Sequence, residues 1–367
     1  MKGGKTMIYL DHASTSPLCD MAKQAIIDHL DDYGNPSSLY EFGHKSQMLI
    51  EDARATIAAC INAEPDEIYF TSGGSEANSW VTNQYMTISS SFEHHSLQAH
   101  YNKVIVGNDG MIEPQHFSCI NHTLARIFEA MSCMYVNNEL GTIQPIKEIA
   151  AIAHGKNMIF HTDAVQAVGH IPVDVKVLNC DMLSASAHKF GGPKGVGFLY
   201  VKRGVELKPF INGGKQEDGK RGGTENILGI VGMAAALKDA CDNMEERNAH
   251  IQHLRNEMLV KLLTIPGSHL NGKLDNRIIS NINIRFDNVS GSQLVTLCDL
   301  YGICIAAGSA CNEGESEPSH VLKSIGLSDE HALNSIRITI GHHNTEEEIK
   351  YAAKMISQLV ERIRQHD

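Results

Sequence analysis

The sequence predicts a layered α/β fold, and three observations lead to this prediction. Short apolar runs bounded by Gly, Pro, Asn or Asp alternate with segments of helical periodicity, which is typical of a sheet covered by helices. The chain has 367 residues, 42% of them hydrophobic, so it is long enough to build two lobes with large cores. No segment is low in complexity, which disfavours disorder.

The individual elements follow from local patterns. Five apolar runs are predicted to be strands of the sheet: 67–71, 131–136, 158–162, 181–184 and 196–201. Pro145 opens a helix between the second and third of these strands, because the apolar residues after it recur at helical spacing. Strand, helix and strand together form a βαβ unit.

The second half of the chain is predicted to contain a smaller domain. Two helices and then two strands are expected there, at 225–240, 244–263, 279–286 and 303–306. A capping box of Thr345 and Glu348 begins the last helix. We therefore predict a large, mostly parallel α/β domain at 15–245 and a smaller α+β domain formed by 1–14 and 246–367.

Charge and cysteine content exclude several classes of protein. There are 31 basic and 43 acidic side chains, a net charge of −12, whereas nucleic-acid binders normally present a basic face. No apolar segment has the length of a signal peptide or a membrane span. The nine cysteines are scattered and never form C-x-x-C, which indicates neither a disulfide framework nor a regular zinc site. We expect a soluble cytoplasmic protein without a metal site, bound to neither nucleic acid nor membrane.

Lys189 is the most informative single residue. It follows an apolar strand, lies between small residues and His188, and precedes a glycine-rich turn. Residue types alone leave two interpretations open: a surface loop with a glycine run, or a lysine that forms a Schiff base. The second requires the amine to lose its proton, which burial beside cationic neighbours favours.

Two upstream segments favour the Schiff-base interpretation. Asp163 ends a predicted strand, where a carboxylate can face the pyridine nitrogen of pyridoxal phosphate, although such a residue can equally cap a helix. The run 70–78 indicates a strand, a glycine turn and the start of a helix. Free N–H groups at such a helix start bind phosphate.

Ten motifs follow one another in a recognisable order: LDHAST at 10–15, GNPSS at 34–38, TSGGSE at 71–76, EHH at 93–95, NNELG at 137–141, DAVQ at 163–166, SAHK at 186–189, RGGTEN at 221–226, GSAC at 308–311 and SIR at 335–337. Together they resemble the cysteine desulfurases of the NifS/IscS type. Those enzymes are class V aminotransferases among the fold-type I PLP-dependent transferases. The resemblance spans nearly the whole chain.

The resemblance implies an enzyme that converts L-cysteine to L-alanine with pyridoxal phosphate as cofactor. It makes Lys189 the Schiff-base lysine, His94 an acid–base group on the ring face, and Cys311 the nucleophile that receives the sulfur as a persulfide. Cofactor contacts are implied for Gly74, Ser75, His94, Asn138, Asp163, Gln166, Ser186, His188, Lys189 and Thr224. Substrate contacts are implied for Asn35, Asn138 and Arg337.

The resemblance also implies partners. Thr224 would reach the cofactor of a neighbouring subunit, so a homodimer is expected, and a sulfur-acceptor protein such as an iron–sulfur scaffold would take the persulfide sulfur. Selenocysteine lyase, aminotransferase and a non-enzymatic scaffold remain alternatives.

Cys311 and the other cysteines are expected to differ in their surroundings. Cys311 lies in a small, polar stretch, and a helix is expected to begin at Pro318. Five others lie in apolar runs and are expected to be buried, namely Cys60, Cys133, Cys180, Cys298 and Cys304. The segment 81–131 is shorter than in the family, and His12 replaces the Asn or Tyr often found there.

Overall fold

A computed structural model describes residues 7–97, 103–118, 127–307 and 317–366. The strands in these ranges are β1 Ile8–Tyr9, β2 Ile68–Thr71, β3 Thr87–Ser90, β4 Lys103–Val104, β5 Ala130–Ser132, β6 Ile159–Asp163, β7 Met182–Ser186, β8 Gly197–Val201, β9 Ser268–Leu270, β10 Asn281–Phe286, β11 Ile303–Cys304, β12 Ala306–Ala307 and β13 Ser335–Thr339. The helices are α1 Asp20–Asp28, α2 Glu41–Cys60, α3 Gly74–Gln84, α4 Pro114–Ser118, α5 Ile146–Gly155, α6 Val175–Leu178, α7 Ile227–Asp242, α8 Met244–Leu263, α9 Gly291–Leu300, α10 His320–Ser324, α11 Asp329–Leu333 and α12 Glu346–His366.

Seven strands form the large sheet, in the order β2-β8-β7-β6-β5-β3-β4. Strand β8 runs antiparallel to both of its neighbours, whereas the other pairs are parallel. The carboxyl ends of β2, β3, β5, β6 and β7 therefore lie at one edge. The predicted α/β class is confirmed. The predicted strand 131–136 is wrong beyond Ser132, where β5 ends, because the chain turns and Val136 bridges Ile143. The N–H groups of Cys133 and Tyr135 still donate to carbonyls of β6, at 3.2 and 2.8 Å.

A small antiparallel sheet, in the order β12-β13-β10-β9, lies beside a two-stranded parallel pair of β1 and β11. Helices α8 and α12 pack against it, and Ile8 and Leu10 join its core. Most of the apolar side chains of 19–240 form separate clusters, which also include Ile278 and Val321. The predicted division into a domain at 15–245 and one formed by 1–14 and 246–367 stays a prediction.

Two helix starts test the sequence patterns. The capping box of α12 is confirmed, since Thr345 N donates to Glu348 Oε2 (3.0 Å) and Glu348 N donates to Thr345 Oγ1 (3.2 Å). The expected helix start at Pro318 is wrong, because α10 begins at His320. Ser319 caps this helix, because its Oγ accepts from two main-chain N–H groups. Pro318 has no side-chain acceptor and therefore cannot cap the helix in this way.

The described cysteines are all free thiols. Cys133, Cys180 and Cys298 are buried as expected, but Cys60 and Cys304 are only partly buried, because each is the last residue of its element. Cys119 and Cys311 lie outside the described residues. No helix in the described part of the chain is both long and apolar enough to span a membrane.

A buried ion pair connects α2 to the segment that precedes α7. The Arg54 guanidinium donates to both carboxylate oxygens of Glu217, at 2.9 and 3.0 Å, and lies 4.5 Å from the centre of the Phe70 ring. Phe70 N also donates to Glu217 (2.9 Å). The two side chains are only 12% and 3% exposed, so neither charge has water as an alternative partner.

Replacing Glu217 by Ala is expected to lower the free energy of unfolding by about 3–5 kcal/mol, because Arg54 loses its buried counter-ion and keeps only the largely exposed Glu51 carboxylate, 3.3 Å from Nε. Urea unfolding measures the change. Arg203→Ala is the matched control, since Arg203 and Asp66 form an exposed pair, and its cost should be about 1 kcal/mol or less. Equal effects of the two variants would contradict the prediction.

Candidate active site

The predicted site residues follow the carboxyl ends of the parallel strands. Gly74 and Ser75 come after β2, His94 after β3, Asn138 after β5, Asp163 and Gln166 at or after β6, and Ser186, His188 and Lys189 at or after β7. In open α/β sheets this edge is where ligands bind. The register places Asp163 beside Ser184 on the neighbouring strand, close to the turn that carries Lys189.

Lys189 ends the turn after β7, and its ammonium group is held by the main chain. Nζ donates to the carbonyl oxygens of Ala13 (2.7 Å) and Ser14 (2.8 Å). Burial, helped by the charge of Arg337, lowers the pKa of Lys189 to about 8, against the opposing effect of nearby carboxylates. A substantial fraction of the amine is therefore neutral near physiological pH.

Arg337 lies on β13 of the small sheet and reaches the same N-terminal segment. Its Nη2 donates to Asp11 Oδ1 (2.8 Å) and Ser14 Oγ (2.7 Å), and its Nη1 donates to the Asn138 carbonyl (2.8 Å). Asn138 Oδ1 and Arg337 Nε are buried and have no hydrogen-bond partner among the described residues. The pair thus presents unsatisfied polar atoms to a ligand.

Asp163 ends β6 as a buried carboxylate with neutral partners. Its Oδ2 accepts from Asn78 Nδ2 (2.7 Å), and its Oδ1 accepts from Val165 N (3.0 Å). Asn78 Nδ2 also donates to Ser96 Oγ (2.9 Å), which connects Asp163 to the segment carrying His94. Such amide donors orient a carboxylate without neutralising its charge.

A glycine turn between β2 and α3 leaves room for an anion. Gly73 has a φ of +152°, which L side chains rarely adopt, and a Cβ on Gly74 would come within 2.5 Å of Val165 Cγ2. Ser75 lies in the first turn of α3, where main-chain N–H groups have no intrahelical partner. Ser186 Oγ lies on the same side of the turn, 3.4 Å from the Cβ position of Gly73.

The two histidines of the site are both neutral at pH 7. The ring of His94 is exposed in the cleft, yet the surrounding protein removes water and lowers its pKa. Its Nδ1 accepts from Ser96 N (3.2 Å), which assigns the ring proton to Nε2. Burial, and then the charge of Lys189, lower the pKa of His188 to about 4, and its Nδ1 is 3.1 Å from Thr15 Oγ1.

Three predicted residues are not brought into this cluster. Asn35 lies in an exposed turn, where its side-chain oxygen accepts from Ser37 N (3.0 Å). Thr224 is exposed ahead of α7, and Cys311 lies outside the described residues.

The sequence interpretation missed the roles of Ala13, Ser14 and Asn78. Asn78 carried the only usable signal, since it is a polar residue in the helix that follows the glycine turn.

The comparisons with known proteins agree with this geometry. The family model "Aminotransferase class-V" matches residues 8–352. The chain belongs to this family. A cysteine desulfurase IscS of Methanosarcina thermophila is 39% identical, covering 97% of this chain and 93% of that protein. A solved NifS-like protein has a TM-score of 0.88 and 31% identity, covering 97% of this chain and 100% of that one.

A third similar structure, described as SspA in complex with cysteine, has a TM-score of 0.78 and 30% identity. It covers 92% of this chain and 100% of that chain. The predicted family and fold are thus confirmed.

Class V aminotransferases depend on pyridoxal phosphate, and the residues present here fit that group. The glycine turn, the start of α3 and Ser186 form a cradle in which Gly74 leaves no space for a side chain. Asp163 supplies a buried carboxylate for a pyridine nitrogen, and Lys189 supplies an amine that loses its proton readily. The three reactive groups of pyridoxal phosphate, its phosphate, its basic ring nitrogen and its aldehyde, thus each have a complementary group in the protein.

The rate at which the cofactor-free protein takes up pyridoxal phosphate covalently should rise with pH and level off above about 8. The neutral amine is the reactive form, and the pKa of Lys189 lies near 8 rather than near the ordinary value of about 10.4. Uptake rates between pH 6 and 10, followed by borohydride trapping, measure this. Lys189→Ala should give no trapped adduct, whereas Lys194→Ala should behave as the wild type. A midpoint near 10 would contradict the expectation.

Proposed function

We propose that this protein is a cysteine desulfurase that converts L-cysteine to L-alanine. The sulfur is transferred to Cys311 as a persulfide and passes from there to an acceptor protein. The observation that carries this proposal is that Lys189 and Asp163 lie at the carboxyl edge of the large sheet, where Arg337 of the small sheet reaches the same Ser14 that Lys189 contacts. Relatives named as cysteine desulfurases, and a similar structure holding cysteine, support the same substrate.

When bound, pyridoxal phosphate supplies an aldehyde that takes the substrate amine and a ring that accepts electrons. Lys189 would anchor the cofactor covalently, Asp163 would keep the ring nitrogen protonated, and Gln166 would contact the ring hydroxyl. His94 would contact the ring and Asn138 would add a further contact to the cofactor. The phosphate would be held by Gly74, Ser75, Ser186 and His188.

Arg337 and Asn138 bind the substrate carboxylate, and Asn35 adds a further contact to the substrate. A guanidinium suits this task because it keeps its charge and offers a planar fork of donors. The fork already contacts Asp11 and Ser14, which fixes its orientation before the substrate arrives. Preorganised donors of this kind spend less entropy on binding.

Proton movement uses neutral bases. Nζ of Lys189 is deprotonated readily in its buried position, and neutral His94 accepts a proton at Nδ1 in exchange for its contact with Ser96. Cys311 then attacks the substrate sulfur as a thiolate. The bond between the substrate Cβ and sulfur breaks, a sulfur–sulfur bond forms on Cys311, and Cβ gains a proton to give alanine.

Replacing Cys311 by Ala should lower alanine formation from L-cysteine by a factor on the order of 10³ or more, because the sulfur loses its acceptor. The visible absorption of the bound cofactor should remain. Alanine release by chromatography and the absorption spectrum are the two measurements.

Cys304→Ala is the matched control for Cys311→Ala, because Cys304 precedes the same region but lies in β11, and its turnover should stay near that of the wild type. Unchanged alanine formation by Cys311→Ala would contradict the role of Cys311 as sulfur acceptor and favour selenocysteine lyase or aminotransferase chemistry. A wild-type protein without the cofactor band would instead indicate a scaffold.

The active form is a homodimer in which Thr224 contacts the phosphate of the partner's cofactor. Large apolar side chains are unusually exposed along α1, the loop after it and the start of α2: Met21, Ile27, Leu30, Tyr33, Leu39, Tyr40, Phe42 and Met48. Leu39 is 93% exposed and Tyr33 is 83% exposed. Apolar surface of this extent indicates an interface, and the exposed Asn35 lies within it.

Subunit mixing tests this arrangement. Lys189→Ala and Thr224→Glu should each be inactive alone, the second because its carboxylate repels the phosphate. Mixed after reversible dissociation, the pair should recover about one quarter of wild-type activity, since half the dimers are mixed and each has one intact site. Recovery no greater than the sum of the two parents would contradict a shared site.

The cytoplasm is the compartment of this proposal, and the acceptor is a sulfur-accepting protein such as an iron–sulfur scaffold. The described cysteines carry no disulfide, which suits a reducing compartment. An acceptor thiol takes the outer sulfur of a persulfide by exchange chemistry like that of disulfides.

A further inference from the structure

His170 lies at the junction between the large and small sheets, in the turn that follows β6. Its Nε2 is 3.0 Å from the main-chain oxygen of Lys189. Because a carbonyl oxygen only accepts, this contact assigns the ring proton to Nε2. Burial, and to a smaller extent the charge of Lys189, lower the pKa of His170, so the ring is a neutral donor at pH 7.

The Lys189 carbonyl has a second donor on its other side. Ser16 Oγ donates to it at 2.9 Å, and Ser16 N donates to the carbonyl of His188 at 2.8 Å. Both lone pairs of the Lys189 oxygen are therefore in use. The lysine main chain is held by the N-terminal segment from one direction and by His170 from the other.

His170 is itself tied to α8. Its main-chain oxygen accepts from Asn248 Nδ2 at 3.1 Å, and its main-chain N–H donates to the Ala167 carbonyl at 3.0 Å. Helix α8 packs its apolar side chains into the core of the small sheet. A continuous set of hydrogen bonds thus runs from that helix through His170 to the Lys189 carbonyl.

A cavity between the two sheets gives His170 its surroundings. Gln166, Asn138 and Lys189 of the proposed site form part of its wall, and further imidazoles complete it, namely His12, His342 and His343. The lining residues in the described part of the chain include no Asp or Glu. No acidic side chain in this wall therefore competes with the Lys189 oxygen for the His170 N–H.

We propose that His170 is a positioning residue for Lys189: its Nε2–H fixes the lysine main chain and thereby keeps Nζ at the cofactor. The inference rests on the proposed role of Lys189 as the cofactor-binding lysine. It does not depend on which substrate is used. No role for His170 follows from the motifs quoted above, because it lies four residues beyond DAVQ.

Loss of this donor should loosen the turn that carries Lys189. Nζ then spends more time away from the partly buried position between the Ala13 and Ser14 oxygens, where loss of water disfavours its charge. Its pKa should consequently rise toward the ordinary value of a lysine. A change that is only structural elsewhere in the fold would not move this group.

The experiment is the pH dependence of Lys189 acylation in the cofactor-free protein, which reports the pKa of the free Nζ amine. In His170→Leu the midpoint should shift upward by about one pH unit, whereas in His170→Gln, which keeps a neutral N–H donor, it should stay within about 0.3 unit. His170→Ala should shift like the Leu variant and return toward wild type when imidazole is added, because the cavity can admit it.

His250→Leu is the matched control, since His250 Nε2 contacts a main-chain oxygen, that of Asn344, at the same distance of 3.0 Å. Its midpoint should be that of the wild type. Ser16→Ala removes the other donor to the Lys189 carbonyl and should shift in the same direction, so the test survives if His170→Leu does not fold.

A wild-type midpoint in His170→Leu, or an equal shift in His250→Leu, would overturn the proposal. So would a lack of any response of His170→Ala to imidazole. A protein that binds the cofactor but releases no alanine from cysteine would refute the proposed function alone, because the acylation midpoint reports on Lys189 without turnover.

Discussion

Two main-chain oxygens, those of Ala13 and Ser14, hold the ammonium group of Lys189, and the rest of the site is arranged around that contact. The same short segment binds Arg337 through Asp11 and the Ser14 hydroxyl. Two cations that come from different sheets are thereby brought close together. Burial lowers the pKa of Lys189 and the charge of Arg337 lowers it further, whereas Asp11 acts in the opposite direction.

Most of the large sheet could be predicted because its central strands are apolar runs between turn residues. Strand β3 could not, since Thr87–Ser90 contains three hydroxyl residues and one isoleucine, yet all four are buried. Its hydroxyls are satisfied locally, as when Thr87 Oγ1 donates to the Tyr85 carbonyl (2.8 Å). Strand β13 could not be predicted for a related reason. It contains the charged Arg337, which is compensated by Asp11, a residue 326 positions away in the chain.

The residues of the candidate site that act through side chains in the motifs could be predicted from residue types. The contacts made by main-chain oxygens could not. Asp163, Lys189 and Arg337 belong to motifs whose residue types suit their chemistry, and Arg337 of the small sheet reaches the same N-terminal segment as Lys189. Carbonyl oxygens carry no such signal, because every residue has one. Asn35 and Thr224 are a different case, since the contacts expected of them in the proposed dimer would come from a second chain.

The pairing of β1 with β11 has a consequence for how this chain tolerates insertions and deletions. Only two residues on each strand pair, Ile8 with Ile303 and Tyr9 with Cys304. Added residues before Ile8 lengthen the chain outside this contact. A single residue gained or lost between Tyr9 and Asp11 would shift every later carbonyl by one position and turn it to the opposite side of the extended chain, away from both cations. Chain length is therefore constrained more tightly across these few residues than residue identity.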